Sequence, residues 1–157
     1  MIVADRPFVP APKTGQLALP LTLEQMNSFD TIIDVRSPAE FAEDHLPGAI
    51  NLPVLTNEQR ITVGTLYKQS SAFDAKKVGA ALVARNIAGH VENCLLDKPK
   101  SWKPLVYCWR GGSRSGAMAH ILRSIGWGAL QLEGGYKAWR GQVIADLELL
   151  PAGFTYQ

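Results

Sequence analysis

Pro104-Leu105-Val106-Tyr107-Cys108-Trp109-Arg110-Gly111-Gly112-Ser113-Arg114-Ser115 is the stretch that decides how this chain reads. Its opening apolar run suits a buried strand. Residues 115–125 then carry helical spacing, with Met118, Ile121, Leu122 and Ile125 predicted on one face. A cysteine at a strand's end, followed by a glycine-containing loop that opens a helix, is a place to make an anion and hold one. Backbone N–H groups of such a loop and the helix N-terminus favour negative charge. With Arg110 and Arg114 alongside, the same field should raise the thiolate fraction of Cys108. Cys108 is the predicted nucleophile.

Upstream, Thr31-Ile32-Ile33-Asp34-Val35 is β-branched and mostly apolar, as a buried parallel strand requires. A helix signal follows at once: Ser37 as N-cap, Pro38 at the first helical position, Glu40 three residues past the cap. That helix runs through Phe41 and stops at Leu46-Pro47-Gly48, and Ala49-Ile50-Asn51-Leu52 reads as a short strand. Residues 55–68, with Gly64 and scattered polar residues, suggest a short helix plus a loop. The pattern over 73–91 is helical, and a polar, proline-containing connection is expected over 94–103.

Downstream of the loop and its helix, Gly126 and Gly128 mark a turn and Ala129-Leu130-Gln131-Leu132 a strand. Glu133-Gly134-Gly135 is a tight turn before a closing amphipathic helix over 136–149. At the amino end, 21–28 reads as a short helix capped by Thr22. Residues 1–20 hold Pro7, Pro10, Pro12 and Pro20, and are expected to be an extended arm rather than an element. Strands alternating with helices predict an α/β domain over 21–150 with a largely parallel sheet flanked by helices, and a tail over 151–157. Ligands of such sheets sit beyond the strands' carboxyl ends, where Cys108 falls.

Composition bounds the function classes. A length of 157 residues suits one domain with a real core, and a net charge of +2 is too small to argue for nucleic acid by itself. Two cysteines, Cys94 and Cys108, make no disulfide framework and no metal knuckle. His45, His90 and His120 show no mutual spacing for a metal or a Cys–His dyad, so no metal or bound cofactor is expected. The amino terminus lacks a signal-peptide pattern and no apolar stretch is long enough for a bilayer. The expected compartment is the cytoplasm, without membrane contact, where a free thiol stays reduced.

An inert buried cysteine would have apolar neighbours, whereas Cys108 is followed by arginines, glycines and serines. Arg110 and Arg114 are expected to clamp a substrate oxyanion. Gly111 and Gly112 let the backbone turn its N–H groups inward. Ser113 and Ser115 either donate to the thiolate and bound oxygens or cap the helix. Trp109 either floors the pocket or faces outward as a stacking surface for a base. Asp34 and Arg36 are expected as a supporting ion pair, Cys94 as incidental, and Trp139 as packing beneath the active loop.

Four segments together resemble the rhodanese family of sulfurtransferases: 33–41 (Ile-Asp-Val-Arg-Ser-Pro-Ala-Glu-Phe), 45–53 (His-Leu-Pro-Gly-Ala-Ile-Asn-Leu-Pro), the Cys108 loop, and 133–139 (Glu-Gly-Gly-Tyr-Lys-Ala-Trp). The resemblance implies a three-layer domain whose loop cysteine carries sulfur or selenium. Five residues separate Cys108 from Arg114, where the usual sulfurtransferase loop has one fewer. That longer loop resembles those of rhodanese-related phosphatases and arsenate reductases, which bind a larger tetrahedral oxyanion, but such phosphatases carry histidine where this chain has Tyr107.

A narrower similarity joins the loop with residues 63–69 and 80–88, and points to the tRNA 2-selenouridine synthase family. It implies that selenium from selenophosphate replaces the sulfur of wobble 2-thiouridine in tRNA, by way of an S-geranylated intermediate. Lys68, Arg36 and Lys137 are then candidate contacts to tRNA phosphates. That family also carries a P-loop half of the form G-x-x-x-x-G-K-[ST], which is absent from this sequence, so the P-loop domain is expected in a full-length chain or in trans. Rival readings are a generic thiosulfate sulfurtransferase, a Cys-x5-Arg phosphatase or arsenate reductase, and a non-catalytic binding module.

Overall fold

A computed structural model of the chain describes residues 15–18 and 22–148. Most of the arm expected over 1–20, and all of the tail expected over 151–157, lie outside the described residues. Within them the order is β1 (Gln16–Leu17), α1 (Leu23–Asn27), β2 (Thr31–Asp34), α2 (Pro38–Glu43), β3 (Ile50–Asn51), α3 (Asn57–Gln69) and α4 (Ala72–His90). A π-helical turn, Val91–Leu95, leads on to β4 (Pro104–Tyr107), α5 (Ser113–Ile125), β5 (Leu130–Leu132) and α6 (Gly135–Glu148). The five strands form one parallel sheet in the order β1-β5-β4-β2-β3. The α/β expectation holds. One difference lies at the amino end, where Gln16–Leu17 of the expected arm pairs with β5 as an edge strand.

β4 lies at the sheet's centre with all four residues buried, and Pro104 occupies its first position, where a missing N–H costs least. Strand parity divides the core between two faces. Ile33 and Val106 pack with Met118, Leu122 and Trp127, while Ile32, Leu105 and Tyr107 pack with Leu46, Leu132 and Tyr136. By the same parity, Tyr107 and Cys108 leave the end of β4 toward opposite faces: Cys108 joins the α5 cluster and Tyr107 the other.

Three local expectations are corrected. The buried stripe of α5 is Ser115, Met118, Ala119 and Leu122, whereas Ile121 and Ile125 are 40% and 51% exposed. The helix is turned so that Ser115 faces the sheet's carboxyl end, which carries Ile121 outward. The stretch expected over 55–68 does not split into a short helix and a loop: all of it past Thr56 belongs to one continuous helix, α3. Thr56 caps it reciprocally with Gln59, a capping box the sequence displays. The connection expected as polar over 94–103 buries Leu95 and Trp102, and the Trp102 indole donates to Thr31 Oγ1 at 2.9 Å.

The helix orientation is testable by chemical denaturation. Leu122→Ala is expected to cost about 2–5 kcal/mol by opening a cavity, and Ile121→Ala no more than about 0.5 kcal/mol. Equal losses would contradict the observed face.

Candidate active site

The loop from Cys108 to Gly112 connects the end of β4 to the start of α5, and its carbonyls are engaged from behind. Tyr136 and Lys137, in the first turn of α6, donate their amides to Cys108 O at 2.8 Å and Trp109 O at 3.0 Å. Gly111 O and Gly112 O accept from Gln131 Nε2 at 2.7 and 3.0 Å. This interlock requires glycine. Gly111 and Gly135 have φ of +73° and +59°, and a Cβ on Gly135 would sit 2.8 Å from Gly111 N and crowd Cys108 O. With those carbonyls tied to β5 and α6, the uncapped N-terminus of α5 is left to favour an anion.

Cys108 is 3% exposed, and its Sγ lies 3.0 Å from Ser115 Oγ. Ser115 therefore contacts the sulfur, and no side chain caps α5. Arg114 reaches across to α2, where its Nη1 donates to Glu40 Oε1 at 3.0 Å. Arg60 of α3 binds the same oxygen through Nε at 3.1 Å, and Ser37 Oγ donates to it at 2.9 Å. Burial works to raise the Glu40 carboxyl, but its bonds to Arg114, Arg60 and Ser37 outweigh that and hold it below the usual glutamate value. Burial and the neighbouring Arg114 charge lower Arg60 from the usual arginine value. Two guanidinium groups thus share one carboxylate beside the sulfur and retain a net positive charge.

Beneath the loop, on the other face of the sheet, Asp34 and Arg36 form a buried ion pair, 0% and 2% exposed, with Nη2–Oδ2 at 2.8 Å. Tyr107 donates its hydroxyl to Asp34 Oδ2 at 2.7 Å and accepts the Leu46 amide at 3.0 Å. Burial and the adjacent Asp34 charge push the Tyr107 phenol far up, so it stays a neutral donor. Arg36 also donates to Asp44 O at 2.7 Å and lies 4.3 Å from the centre of the Tyr136 ring. Tyr136 stacks in turn on Trp109, with centroids 5.5 Å apart, and tilts against Trp139.

The predicted site residues thus separate into groups. Cys108 and Ser115 come together, while Arg114 pairs with Glu40. Gly111 and Gly112 shape the loop, while Arg110 and Ser113 are exposed on it. Trp109 is 36% exposed and faces outward on Tyr136. Asp34 and Arg36 support the loop from below, and burial takes Arg36 away from the suggested phosphate contact; Lys68 and Lys137 are exposed.

Glu40, Arg60, Gln131 and Tyr107 escaped the sequence reading as site residues. Glu40 was legible as a capping residue and Gln131 as a polar residue inside a strand, but nothing local marks Arg60. A groove of about 780 Å³ adjoins the loop, walled by Val63, Tyr67, Ala75 and Val83, with Arg60 and Arg114 among its lining.

The rhodanese-like domain family pattern matches residues 20–142. This chain belongs to that family. It is 38% identical over 121 residues to a tRNA 2-selenouridine synthase of Nitrosomonas europaea, covering 74% of this chain and 31% of that protein. It is also 38% identical over 125 residues to the same-named protein of Hydrogenovibrio crunogenus, covering 79% and 35%. The rhodanese-like domain therefore spans about a third of the length of these curated relatives. Among solved structures, it superposes with TM-score 0.67 and 34% identity on the N-terminal domain of a "putative ATP/GTP binding protein" from Clostridium difficile 630, covering 82% of this chain and 98% of that one.

Two outcomes test the geometry. Gly135→Ala is expected to destabilise the fold by about 2 kcal/mol or more, from positive φ plus the clash with the loop backbone, as read in a urea titration. Glu40→Gln is expected to lower the thermal midpoint at neutral pH. Because Glu40 is held below its usual value, its stabilisation is present near neutrality and fades as pH falls through that depressed value, so the gap from wild type should narrow in acid and close below it. A gap that persists there would mean the carboxylate's charge is not what holds the arginines.

Proposed function

We propose that this rhodanese-like domain transfers sulfur or selenium through Cys108, as part of a tRNA 2-selenouridine synthase acting on wobble 2-thiouridine in the cytoplasm. The observation that carries the reading is the Cys108 sulfur set at the N-terminus of α5, with Ser115 Oγ 3.0 Å away, Arg60 within electrostatic reach and Arg114 paired with Glu40. The names of the relatives support the tRNA substrate, and selenophosphate as co-substrate rests on the family resemblance of the motifs. They span about three times this length, so the reading includes a P-loop domain from the same protein or in trans.

In the proposed step the Cys108 thiolate attacks the donor's terminal chalcogen, and an S–S or S–Se bond forms. The bond to the donor's oxyanion breaks, and its electron pair leaves with that fragment. From thiosulfate the fragment is sulfite. From selenophosphate the same displacement releases phosphorus at the phosphite level, whereas phosphate would mean attack at phosphorus instead. Arg114, Arg60 and the α5 N-terminus stabilise charge on the departing oxyanion. Exposed Trp109 offers a base a stacking surface on the Tyr136 side of the loop, and the apolar groove has room for an alkyl substituent such as geranyl.

Intact mass and phosphorus NMR after incubation with selenophosphate, and intact mass after thiosulfate, test this. Wild type is expected to gain one selenium or sulfur atom, with phosphite as the phosphorus product, and Cys108→Ser to gain none. Preference for thiosulfate would favour a generic sulfurtransferase. Phosphate release without an adduct would remove Cys108 from the covalent path.

A further inference from the structure

Gln131 is the middle residue of β5, 6% exposed, and stands in register with Val106, two residues before Cys108. Parity sends its side chain to the α5 face of the sheet, behind the Cys108 loop. Its Nε2 lies 2.7 Å from Gly111 O, 3.0 Å from Gly112 O and 2.8 Å from Ser115 Oγ. Carbonyl oxygens only accept, so the amide must present its nitrogen rather than its oxygen to this cluster, and its two N–H groups serve the two nearest acceptors, Gly111 O and Ser115 Oγ, with Gly112 O sharing a proton at 3.0 Å. Ser115 Oγ, receiving a proton from Gln131, keeps its own hydroxyl proton to donate. Two acceptors are in range, Gly112 O at 3.5 Å and Cys108 Sγ at 3.0 Å. The carbonyl is the more distant and is already bonded to Gln131 and to the Gly116 amide.

We propose that Gln131 is a positioning residue for the nucleophile: by donating to Ser115 Oγ it turns the serine proton onto the Cys108 sulfur and favours the thiolate. Without that bond the Ser115 hydroxyl is free to donate elsewhere, and the sulfur keeps its own proton. Hydrogen bonds to the charged form of a group favour that form, and the thiolate is the reactive species. The same amide holds the Gly111 and Gly112 carbonyls toward β5. This role rests on the reading of Cys108 as the nucleophile.

The test is iodoacetamide alkylation of the intact chain across pH, followed at Cys108 and Cys94 separately by peptide mass spectrometry. Cys94 is exposed and serves as the internal reference. Wild-type Cys108 is expected to retain at pH 7 a much larger share of its high-pH rate than Cys94 does. A Cys108 profile that tracks Cys94 would overturn the nucleophile reading itself.

Gln131→Met keeps the length but has no donor. It is expected to slow Cys108 alkylation about tenfold at pH 7, with rates converging on wild type near about pH 10. Ser115→Ala should do the same, and adding Gln131→Met to it should slow the reaction by no more than about a further twofold. Gln131→Asn withdraws the amide by one methylene and serves if Gln131→Met does not fold. An unchanged rate at pH 7, equal slowing at every pH, or full additivity with Ser115→Ala would each overturn the positioning role.

Discussion

The buried pair of Asp34 and Arg36 is the interaction on which the rest depends. Removing two charges from water is expensive, and the arrangement is tolerable only because the surrounding polar groups satisfy them. Asp34 accepts from the Arg36 side chain, the Arg36 amide and Tyr107, while Arg36 also donates to Asp44 O. Asn51 bonds both backbone carbonyls of the pair at 3.0 and 2.9 Å. These contacts tie the ends of β2, β3 and β4 to α2, and the Tyr136 ring adds α6. Loss of either partner would leave an uncompensated buried charge, a cost of about 3–5 kcal/mol.

That footing matters because Tyr107 and Cys108 are adjacent but face opposite ways. Anchoring the Tyr107 hydroxyl between Asp34 and the Leu46 amide fixes the end of β4, and with it the direction in which Cys108 leaves the strand. Around the loop, β5 and α6 hold four carbonyls, so the local field is set by amides, the α5 N-terminus and arginines. Under the proposed function the site is an anion receptor, and most of its geometry is imposed from outside the loop.

Glu40 joins helix formation to chemistry. As the third residue after the cap it accepts from Ser37, as a capping glutamate does, and the same oxygen holds Arg114 and Arg60. One carboxylate shared by two guanidinium groups orients both without neutralising both. Under the proposed function, an incoming oxyanion would meet preorganised positive charge rather than flexible surface arginines.

Strands β2 to β5, α2, α5 and the Cys108 loop were legible because each rests on signals a few residues apart: β-branched or apolar runs, a capping box, and a cysteine before glycines and arginines, whereas β1 carries no such signal. α3 was misread because its capping box at Thr56–Gln59 lacks a clean apolar stripe, and in the structure none of its residues is buried. The facing of α5 was misread because spacing allows several stripes, and only contact with the sheet selects Ser115, Met118, Ala119 and Leu122.

By itself, then, the sequence determined the α/β order and the family's motifs, and it singled out Cys108 as the proposed sulfur centre. Tertiary structure alone decided that Arg60, Glu40 and Gln131 converge on it, because they lie on three different elements. It also decided that Arg36 is buried and unavailable to solvent. Those assignments depend on which faces of separate elements meet, and a linear spacing carries no such information.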